Sequence, residues 1–161
     1  MPRYHLAEGR FFHLYARGVD SMVIFRDRDD RLEFLALLAA AVDRHTWRCH
    51  AFCLMDTHVH LVVEAALERI SRGMHVLLGL YARHFNMRYR RHGHVFGDRY
   101  GARVIESEDV LWVTIEYVLL NPVRAGMVAT SADWPWCAAA HPSASPTQPV
   151  AARHSRTEAR R

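Results

Sequence analysis

Two β-rich runs separated by only two residues restrict the fold of this chain more than any other feature. The runs are "WRCHAFCLM" (47–55) and "HVHLVVEA" (58–65), with Asp56 and Thr57 between them. This pattern predicts a hairpin of two antiparallel strands joined by a tight turn. Asp-Thr is not among the strongest hairpin turn sequences, so the sequence leaves the pairing register open.

The stretches on both sides of this hairpin alternate between strand and helix patterns. Leucines recur at helical spacing after Asp27, and acidic residues fill the first turns, where the helix dipole favours them. The predicted elements in chain order are a strand at 10–17, a helix from Asp27 to about His45, the hairpin, a helix from about Glu68 to Arg90, a strand at 99–105 and a helix that begins at the capping residue Ser107 and stops at Asn121-Pro122. This β-α-β-β-α-β-α order predicts an α+β fold. We expect a ferredoxin-like split β-α-β sandwich, with an antiparallel sheet, helices on one face and a further C-terminal helix.

Length and composition predict one folded domain with a tail. The chain has 161 residues, of which 50% are hydrophobic, enough for a single core. We expect this domain to span 1–141, and the proline-, serine- and arginine-rich stretch 142–161 to form a disordered basic tail. No run matches a membrane span or a signal peptide, so we expect a cytoplasmic protein. Three cysteines without a C-x-x-C spacing predict free thiols.

A basic segment with interleaved aromatic residues lies between residues 81 and 103. It contains six arginines against a single acid, Asp98, and the chain has no lysine. This composition is typical of a surface that follows a phosphate backbone and stacks on bases. The alternative is a solvated helix face followed by a polar loop. The candidate DNA-binding residues are Arg83, Arg88, Arg90, Arg91, Arg99, Arg103, Tyr89 and Phe96.

Two histidines one residue apart in the second hairpin strand are candidate metal ligands. Side chains two apart on a strand point to the same face, so His58 and His60 can reach one cation while their neighbours pack into the core. In the last predicted helix, Tyr117 and Asn121 share a face at i,i+4 spacing and offer a phenol and an amide oxygen. Glu64 has the same strand parity as the histidines and is a further candidate ligand. Taken separately, each residue is better explained by packing or by a helix end.

Four segments, taken in order, resemble one known family. They are "RGVDSMVIFRDRDDRLEFL", "LMDTHVHLVVE", "HGHVFGDRYGARVIESEDVLWVTIEYVLLNPVRAGMV" and "DWPW". In these segments the chain is similar to the REP-associated tyrosine transposases, which belong to the single-tyrosine HUH transposases of the IS200-like superfamily. The resemblance covers roughly residues 10–137. Several motifs in matching order are more specific than any one of them.

The resemblance implies a role for each candidate residue. It implies that His58 and His60 are the HUH metal ligands, that Asn121 is the third ligand, and that Tyr117 is the nucleophile that forms a 5′-phosphotyrosine. Two imidazoles and a neutral amide favour exchangeable Mg²⁺ or Mn²⁺ over structural zinc. Family members commonly carry Pro-Asn where this chain has Asp56-Thr57.

The resemblance also implies an activity and a partner. The activity is metal-dependent nicking and strand transfer in DNA transposition, on palindromic repeats folded as single-stranded hairpins. It implies no nucleotide cofactor and no membrane partner, and it favours a monomer over a dimer.

Three alternatives remain open on sequence grounds. A cupin-type metal enzyme matches the run of His58, His60 and Glu64, but it requires an all-β barrel and usually a glycine where this chain has Phe52. A histidine-triad hydrolase needs a third alternate histidine at the position of Val62. The third is a non-catalytic or domesticated protein that binds nucleic-acid hairpins. The three helical patterns argue against the cupin.

Overall fold

The computed structural model describes residues 10–140, which form three helices and a single sheet. Two short 3₁₀ turns connect these elements, at Val19–Ser21 and Ser131–Asp133. In chain order the helices and strands are β1 (Arg10–Arg17), α1 (Arg28–His45), β2 (Arg48–Leu54), β3 (His58–Ala65), α2 (Leu67–Tyr89), β4 (Gly101–Ile105), α3 (Glu108–Arg124) and β5 (Cys137–Ala139). The first seven follow the predicted order, and their ends lie within a few residues of the predicted ones.

The five strands form one antiparallel sheet in the spatial order β4-β1-β3-β2-β5. The first four strands with α1 and α2 give the ferredoxin-like arrangement, which confirms the predicted α+β fold. The fifth strand is absent from the predicted elements, because its three residues, Cys-Ala-Ala, are too short and too poor in β-branched side chains to stand out from a loop.

Helices α1 and α2 cover one face of the sheet and form the larger core. Alternate residues of the central strand, Val59, Leu61 and Val63, are fully buried there. Helix α2 approaches the sheet closely because residue 73 is glycine, and a Cβ at Gly73 would overlap the ring of Trp47. The pattern of strand residues therefore fixes which face receives the two long helices.

Helix α3 packs on the opposite face of the sheet, called here the α3 face. Its apolar stripe, Leu111, Ile115 and Val118, is buried against strand residues that include Val62 and Ile105. Strand residues with the same parity as Val62 therefore lie on the α3 face. In β3 these residues include both histidines of the H-x-H pair.

The last helix runs past its predicted end. The sequence predicts a stop at Asn121-Pro122, but α3 continues to Arg124 with Pro122 inside it. A proline in the final turn loses one helical hydrogen bond, and the ring of Pro122 is buried. The turn is closed beyond it, since Ala125 N donates to the Asn121 carbonyl and Met127 N to the Pro122 carbonyl, both at 2.9 Å.

The prediction of three free thiols is wrong for two of the cysteines. Cys53 of β2 and Cys137 of β5 lie directly opposite each other in the sheet and form a disulfide, while Cys49 is free. Sequence patterns do not indicate this pair, because β5 itself has no strand signature and 84 residues separate the two cysteines.

The predicted disordered tail, 142–161, lies outside the described residues. None of the helices within residues 10–140 combines the length and the apolar character of a membrane span.

Candidate active site

His58 and His60 lie side by side on the α3 face of β3. Strand alternation directs both away from the core side, where their neighbours Val59 and Leu61 are fully buried. The two imidazole rings are 5.0 Å apart between centroids and nearly perpendicular, at 88°. His60 is only 8% exposed, and His58 is half-buried at the start of the strand. The predicted pairing of these two side chains is therefore present in the fold.

The turn before His58 is anchored to the rest of the domain. Its ends are joined by a hydrogen bond from Met55 N to the His58 carbonyl, at 2.9 Å. The Asp56 carboxylate forms an ion pair with Arg31 of α1. The Asp56 carbonyl also accepts from the backbone of Ile24, at 2.8 Å. The turn is held from several sides, so the position of the first histidine is fixed by the fold.

Each histidine of the pair has one ring nitrogen already engaged. The hydroxyl of Thr57 lies 3.0 Å from Nδ1 of His58. Nε2 of His13, on β1, lies 2.9 Å from Nδ1 of His60. In both rings Nε2 is thus the nitrogen left for a ligand.

Burial keeps both imidazoles in the form that binds metals. Burial, with the nearby charge of Arg17, lowers the pKa of His58 to about 4. Burial and the neighbouring His58 lower the pKa of His60 to about 3. Both rings are therefore neutral near pH 7, and a metal needs the neutral imidazole.

Tyr117 projects from α3 towards the histidines. Its ring centroid is 5.9 Å from that of His60, edge-on at 88°, and also 5.9 Å from that of His13. The phenol is 38% exposed, so solvent and a substrate can reach it. The guanidinium of Arg124, two turns further along the helix, lies 5.1 Å from the ring centroid. Helix docking thus brings an accessible phenol to the histidine pair.

Asn121 lies one turn beyond Tyr117 on α3. Its Nδ2 donates to the Tyr117 carbonyl at 3.0 Å, so its Oδ1 is the atom suited to a metal. No group of three or more His, Cys, Asp or Glu in residues 10–140 is arranged to hold a metal ion. A site built on the two histidines would therefore take its remaining ligands from the Asn121 amide and from substrate oxygens. Two neutral imidazoles and one amide oxygen fit a weakly held divalent cation.

Glu64, considered above as a further metal ligand, contacts a different histidine, His50. Its strand parity suggests a solvent-facing carboxylate or an additional ligand, but the side chain is only 12% exposed and lies 3.0 Å from Nε2 of His50. Four residues of strand separate Glu64 from His60, about 13 Å. The carboxylate therefore belongs to a separate polar cluster at the far end of the strand.

Two of the predicted DNA-binding residues, Arg88 and Tyr89, join α2 to the start of α1. Arg88 pairs with Asp27 at 2.8 Å and with the fully buried Asp30 at 2.6 Å. The Tyr89 hydroxyl donates to Asp30 at 2.8 Å. The acidic first turn of α1 faces the end of α2, which the sequence does not reveal. Phe96 is also partly buried against the main core, with its ring 6.2 Å from that of Tyr81.

The remaining arginines of the basic segment differ in their surroundings. Arg91 donates to the Asn86 side chain at 3.2 Å. The others are exposed, and no ion pair formed within residues 10–140 involves them: Arg83, Arg90, Arg99 and Arg103. Of these, Arg103 lies beside the site, since it is paired with His13 across β4 and β1 and its guanidinium lies 5.9 Å from the Tyr15 ring centroid.

Four residues around the site are absent from the sequence-based candidates. Three of them are His13, Tyr15 and Arg17 of β1. Alternation in "RFFHLYAR" shows that these side chains share one face of a strand, but it does not show which strand lies beside them. In the sheet Tyr15 is opposite His60, and Arg17 is opposite His58. Tyr15 also lies over Gly101, where a Cβ would overlap its ring. Arg124 is the fourth, because the predicted helix ends before it.

Together Arg17, Arg103 and Arg124 surround the site with positive charge from three elements. None of them takes part in an ion pair within the described residues. Unpaired arginines beside a phenol and two neutral imidazoles form a surface suited to a phosphodiester.

Comparison with known proteins gives two kinds of match. The family model of IS200-like transposases matches residues 12–119. Among solved structures, a REP-associated tyrosine transposase bound to a REP hairpin is similar with a TM-score of 0.56 and 17% identity, covering 85% of this chain and 80% of that one. A candidate transposase from Deinococcus radiodurans gives a TM-score of 0.52 and 17% identity, covering 73% of this chain and 95% of that one. No curated protein matches. At this identity the structural likeness establishes the fold.

Proposed function

Because the chain belongs to the family of IS200-like transposases, we propose that it is a metal-dependent single-strand DNA nickase and strand transferase that uses Tyr117 as its nucleophile. One observation carries the proposal: an accessible phenol lies against a pair of neutral histidines on the α3 face, 5.9 Å from His60 between ring centroids. The geometry supports transesterification, since it combines a nucleophile, a ligand set and unpaired arginines.

The proposed nicking step exchanges one phosphoester bond for another. The Tyr117 oxygen attacks the phosphorus, the bond from phosphorus to the 3′-oxygen breaks, and a 5′-phosphotyrosine and a free 3′-hydroxyl result. The phenol loses its proton and the departing 3′-oxygen gains one, so the step needs no cofactor beyond the metal. The guanidinium of Arg124 over the phenol ring stabilises the negative charge that develops on the oxygen.

His58, His60 and Asn121 would hold Mg²⁺ or Mn²⁺. When bound, this ion supplies charge neutralisation and polarisation at the scissile phosphate. Arg17 lies on β1 and Arg103 on β4, and in this proposal they bind phosphates next to the reacting one.

The phosphotyrosine stores the energy of the broken bond. A 3′-hydroxyl from a second strand can therefore attack the same phosphorus, release Tyr117 and join the two strands without ATP. This reverse step gives strand transfer, the reaction that DNA transposition requires.

The proposed substrate is a hairpin formed by a palindromic repeat in single-stranded DNA. The solved transposase similar to this chain carries a REP hairpin. In this protein Arg83, Arg90 and Arg99 are exposed cations outside the site and are available to the phosphates of a folded strand longer than the reacting nucleotides.

Covalent adduct formation tests the proposal. Purified protein is mixed with labelled single-stranded hairpins, with Mg²⁺ or Mn²⁺ present or chelated, and denaturing gels are examined for a protein-DNA band. We expect a metal-dependent band that is lost in Tyr117→Phe and His58→Ala and weakened in Asn121→Ala. Matched controls are Tyr100→Phe and His75→Ala, which change the same residue types away from the site.

The alternative is a non-catalytic protein that binds hairpins. It predicts tight hairpin binding with no adduct or cleavage under either metal, across substrates with different flanking sequences. That result would contradict the transesterase proposal and leave DNA binding as the activity.

A further inference from the structure

Among the described residues, His13 makes the shortest side-chain hydrogen bond to a proposed metal ligand. Its Nε2 is 2.9 Å from Nδ1 of His60, and the two rings are stacked at 26° with centroids 5.1 Å apart. Both side chains are buried, at 9% and 8% exposure. The second ligand is contacted in the same way, since the Thr57 hydroxyl is 3.0 Å from Nδ1 of His58.

These contacts bear on which ring nitrogen can bind a metal. A neutral imidazole has one N–H and one lone pair, and a metal takes the lone pair. If Nδ1 of His60 donates to His13, the lone pair is on Nε2 and available. If Nδ1 accepts instead, the proton is on Nε2 and blocks it. The partner of Nδ1 therefore decides whether Nε2 can serve.

We propose that His13 and Thr57 are positioning residues that accept hydrogen bonds from Nδ1 of His60 and His58 and thereby direct both Nε2 atoms to one divalent metal ion. The inference rests on the proposed function, which supplies the metal. In this arrangement His13 is neutral, with its own proton on Nδ1.

The surroundings of His13 favour this acceptor role. Its Nε2 is directed at Nδ1 of His60, and on the neighbouring strand it is paired with Arg103 rather than with an acid. The ring is also fixed on its other sides, 5.6 Å from that of Tyr15 and 5.9 Å from that of Tyr117 between centroids. A ring held in this way can fix the plane of His60.

The chemical identity of the two acceptors has a consequence for DNA binding. Metal-bound histidines often donate to a carboxylate, which adds negative charge beside the ion. An imidazole and a hydroxyl are neutral acceptors. They orient the ligands and leave the positive charge of the metal and of the arginines available to the phosphodiester.

Two matched pairs of variants test the inference. His13→Gln keeps an acceptor oxygen near the position of Nε2, and His13→Leu removes it. Thr57→Ser keeps the hydroxyl, and Thr57→Val removes it. Mn²⁺ affinity is measured without DNA from the electron paramagnetic resonance signal of the free ion. We expect His13→Leu and Thr57→Val to weaken Mn²⁺ binding by about 10–100-fold, and His13→Gln and Thr57→Ser to stay close to the wild type.

A second measurement needs no variant and no metal. Long-range ¹H–¹⁵N spectra of the histidine rings identify which nitrogen is protonated. In the metal-free wild-type protein near pH 7.5, we expect His58 and His60 to be protonated at Nδ1 and unprotonated at Nε2. Protonation of His60 at Nε2 overturns the inference even if the leucine variant fails to fold.

The outcomes separate this inference from the proposed function. If the wild type binds Mn²⁺ and forms adducts while His13→Leu binds Mn²⁺ equally well, only the positioning role fails. If His13→Gln and His13→Leu are both folded and bind Mn²⁺ equally weakly, the positioning role is ruled out and the proposed function is not. If the wild type binds no Mn²⁺, the metal-dependent function fails and this inference with it.

Discussion

The ring of Tyr117 meets the ring of His60 edge-on, with centroids 5.9 Å apart, within one chain. The helix that carries the phenol packs on its own sheet through Leu111 and Ile115, which are buried against strand residues. The proposed nucleophile and the proposed metal ligands therefore come together without a second copy of the chain.

This relationship predicts that the enzyme acts in cis. In the proposed mechanism Tyr117→Phe lacks the nucleophile and His58→Ala lacks a metal ligand, so we expect each variant alone to be inactive. A mixture of the two should remain without a covalent adduct, since no complete site forms in either chain. A dimer with the tyrosine supplied in trans would regain the adduct on mixing. Light scattering of the wild type, run alongside, should give the mass of one chain.

The arginines around the site should determine how hairpin affinity depends on salt. Arg17→Gln, Arg103→Gln or Arg124→Gln should each reduce the slope of log affinity against log salt concentration by about 0.7–0.9, because each loses one phosphate contact. The control is Arg44→Gln, an exposed arginine at the end of α1, on the other side of the sheet. The slope for Arg44→Gln should equal that of the wild type. If Arg44→Gln reduces the slope as much as the site variants do, the effect comes from overall charge and not from contacts at the site.

Arg88 should stabilise the fold. Its guanidinium pairs with the fully buried Asp30, which has no other ion-pair partner among the described residues. We expect Arg88→Met to lower the urea midpoint of unfolding, whereas Arg83→Met, an exposed arginine on the same helix, leaves it unchanged. Tyr89→Phe loses a hydrogen bond to the same carboxylate and should cost about 1.5–3 kcal/mol. Equal midpoints for both arginine variants would contradict this role.

The same cluster predicts a dependence on pH. The hydrogen bond from Arg88, followed by the one from the Asp30 backbone, lowers the pKa of Asp27 below its usual 3.8. A carboxylate whose pKa is lower in the folded state adds stability above its unfolded pKa and loses it as the pH falls through the folded pKa. The difference in unfolding free energy between wild type and Arg88→Met should therefore shrink below about pH 4. A constant difference from pH 7 to pH 3 would show that Asp27 does not contribute.

Local periodicity in the sequence predicts part of the site correctly. Alternation in β3 places His58 and His60 on one face, and the i,i+4 spacing of Tyr117 and Asn121 places them on one flank of α3. Local periodicity does not predict which residues meet across strands or between helices. His13 meets His60 only through the β1-β3 register, and a one-residue slip would turn it to the other face.

Where the structure differs from the sequence-based expectation, the physical origin is the same. Arg88 resembles a free cation in the sequence because the acidic residue that neutralises it is 58 positions earlier in the chain. Pro122 resembles a helix end, although α3 continues for two more residues beyond it and buries its ring. Cys53 resembles a free thiol because its partner lies on an edge strand of three residues.

The most direct measurement is the position of the DNA label on the protein after nicking. A hairpin substrate is labelled either at its 5′ end or at its 3′ end, treated with protein and Mn²⁺, and digested for mass spectrometry. We predict that only the 3′ label becomes attached to protein, on the peptide containing Tyr117, and that the released 5′ fragment carries a 3′-hydroxyl that a polymerase extends. Attachment of the 5′ label, linkage to another residue, or cleavage without any linkage would contradict the tyrosine mechanism.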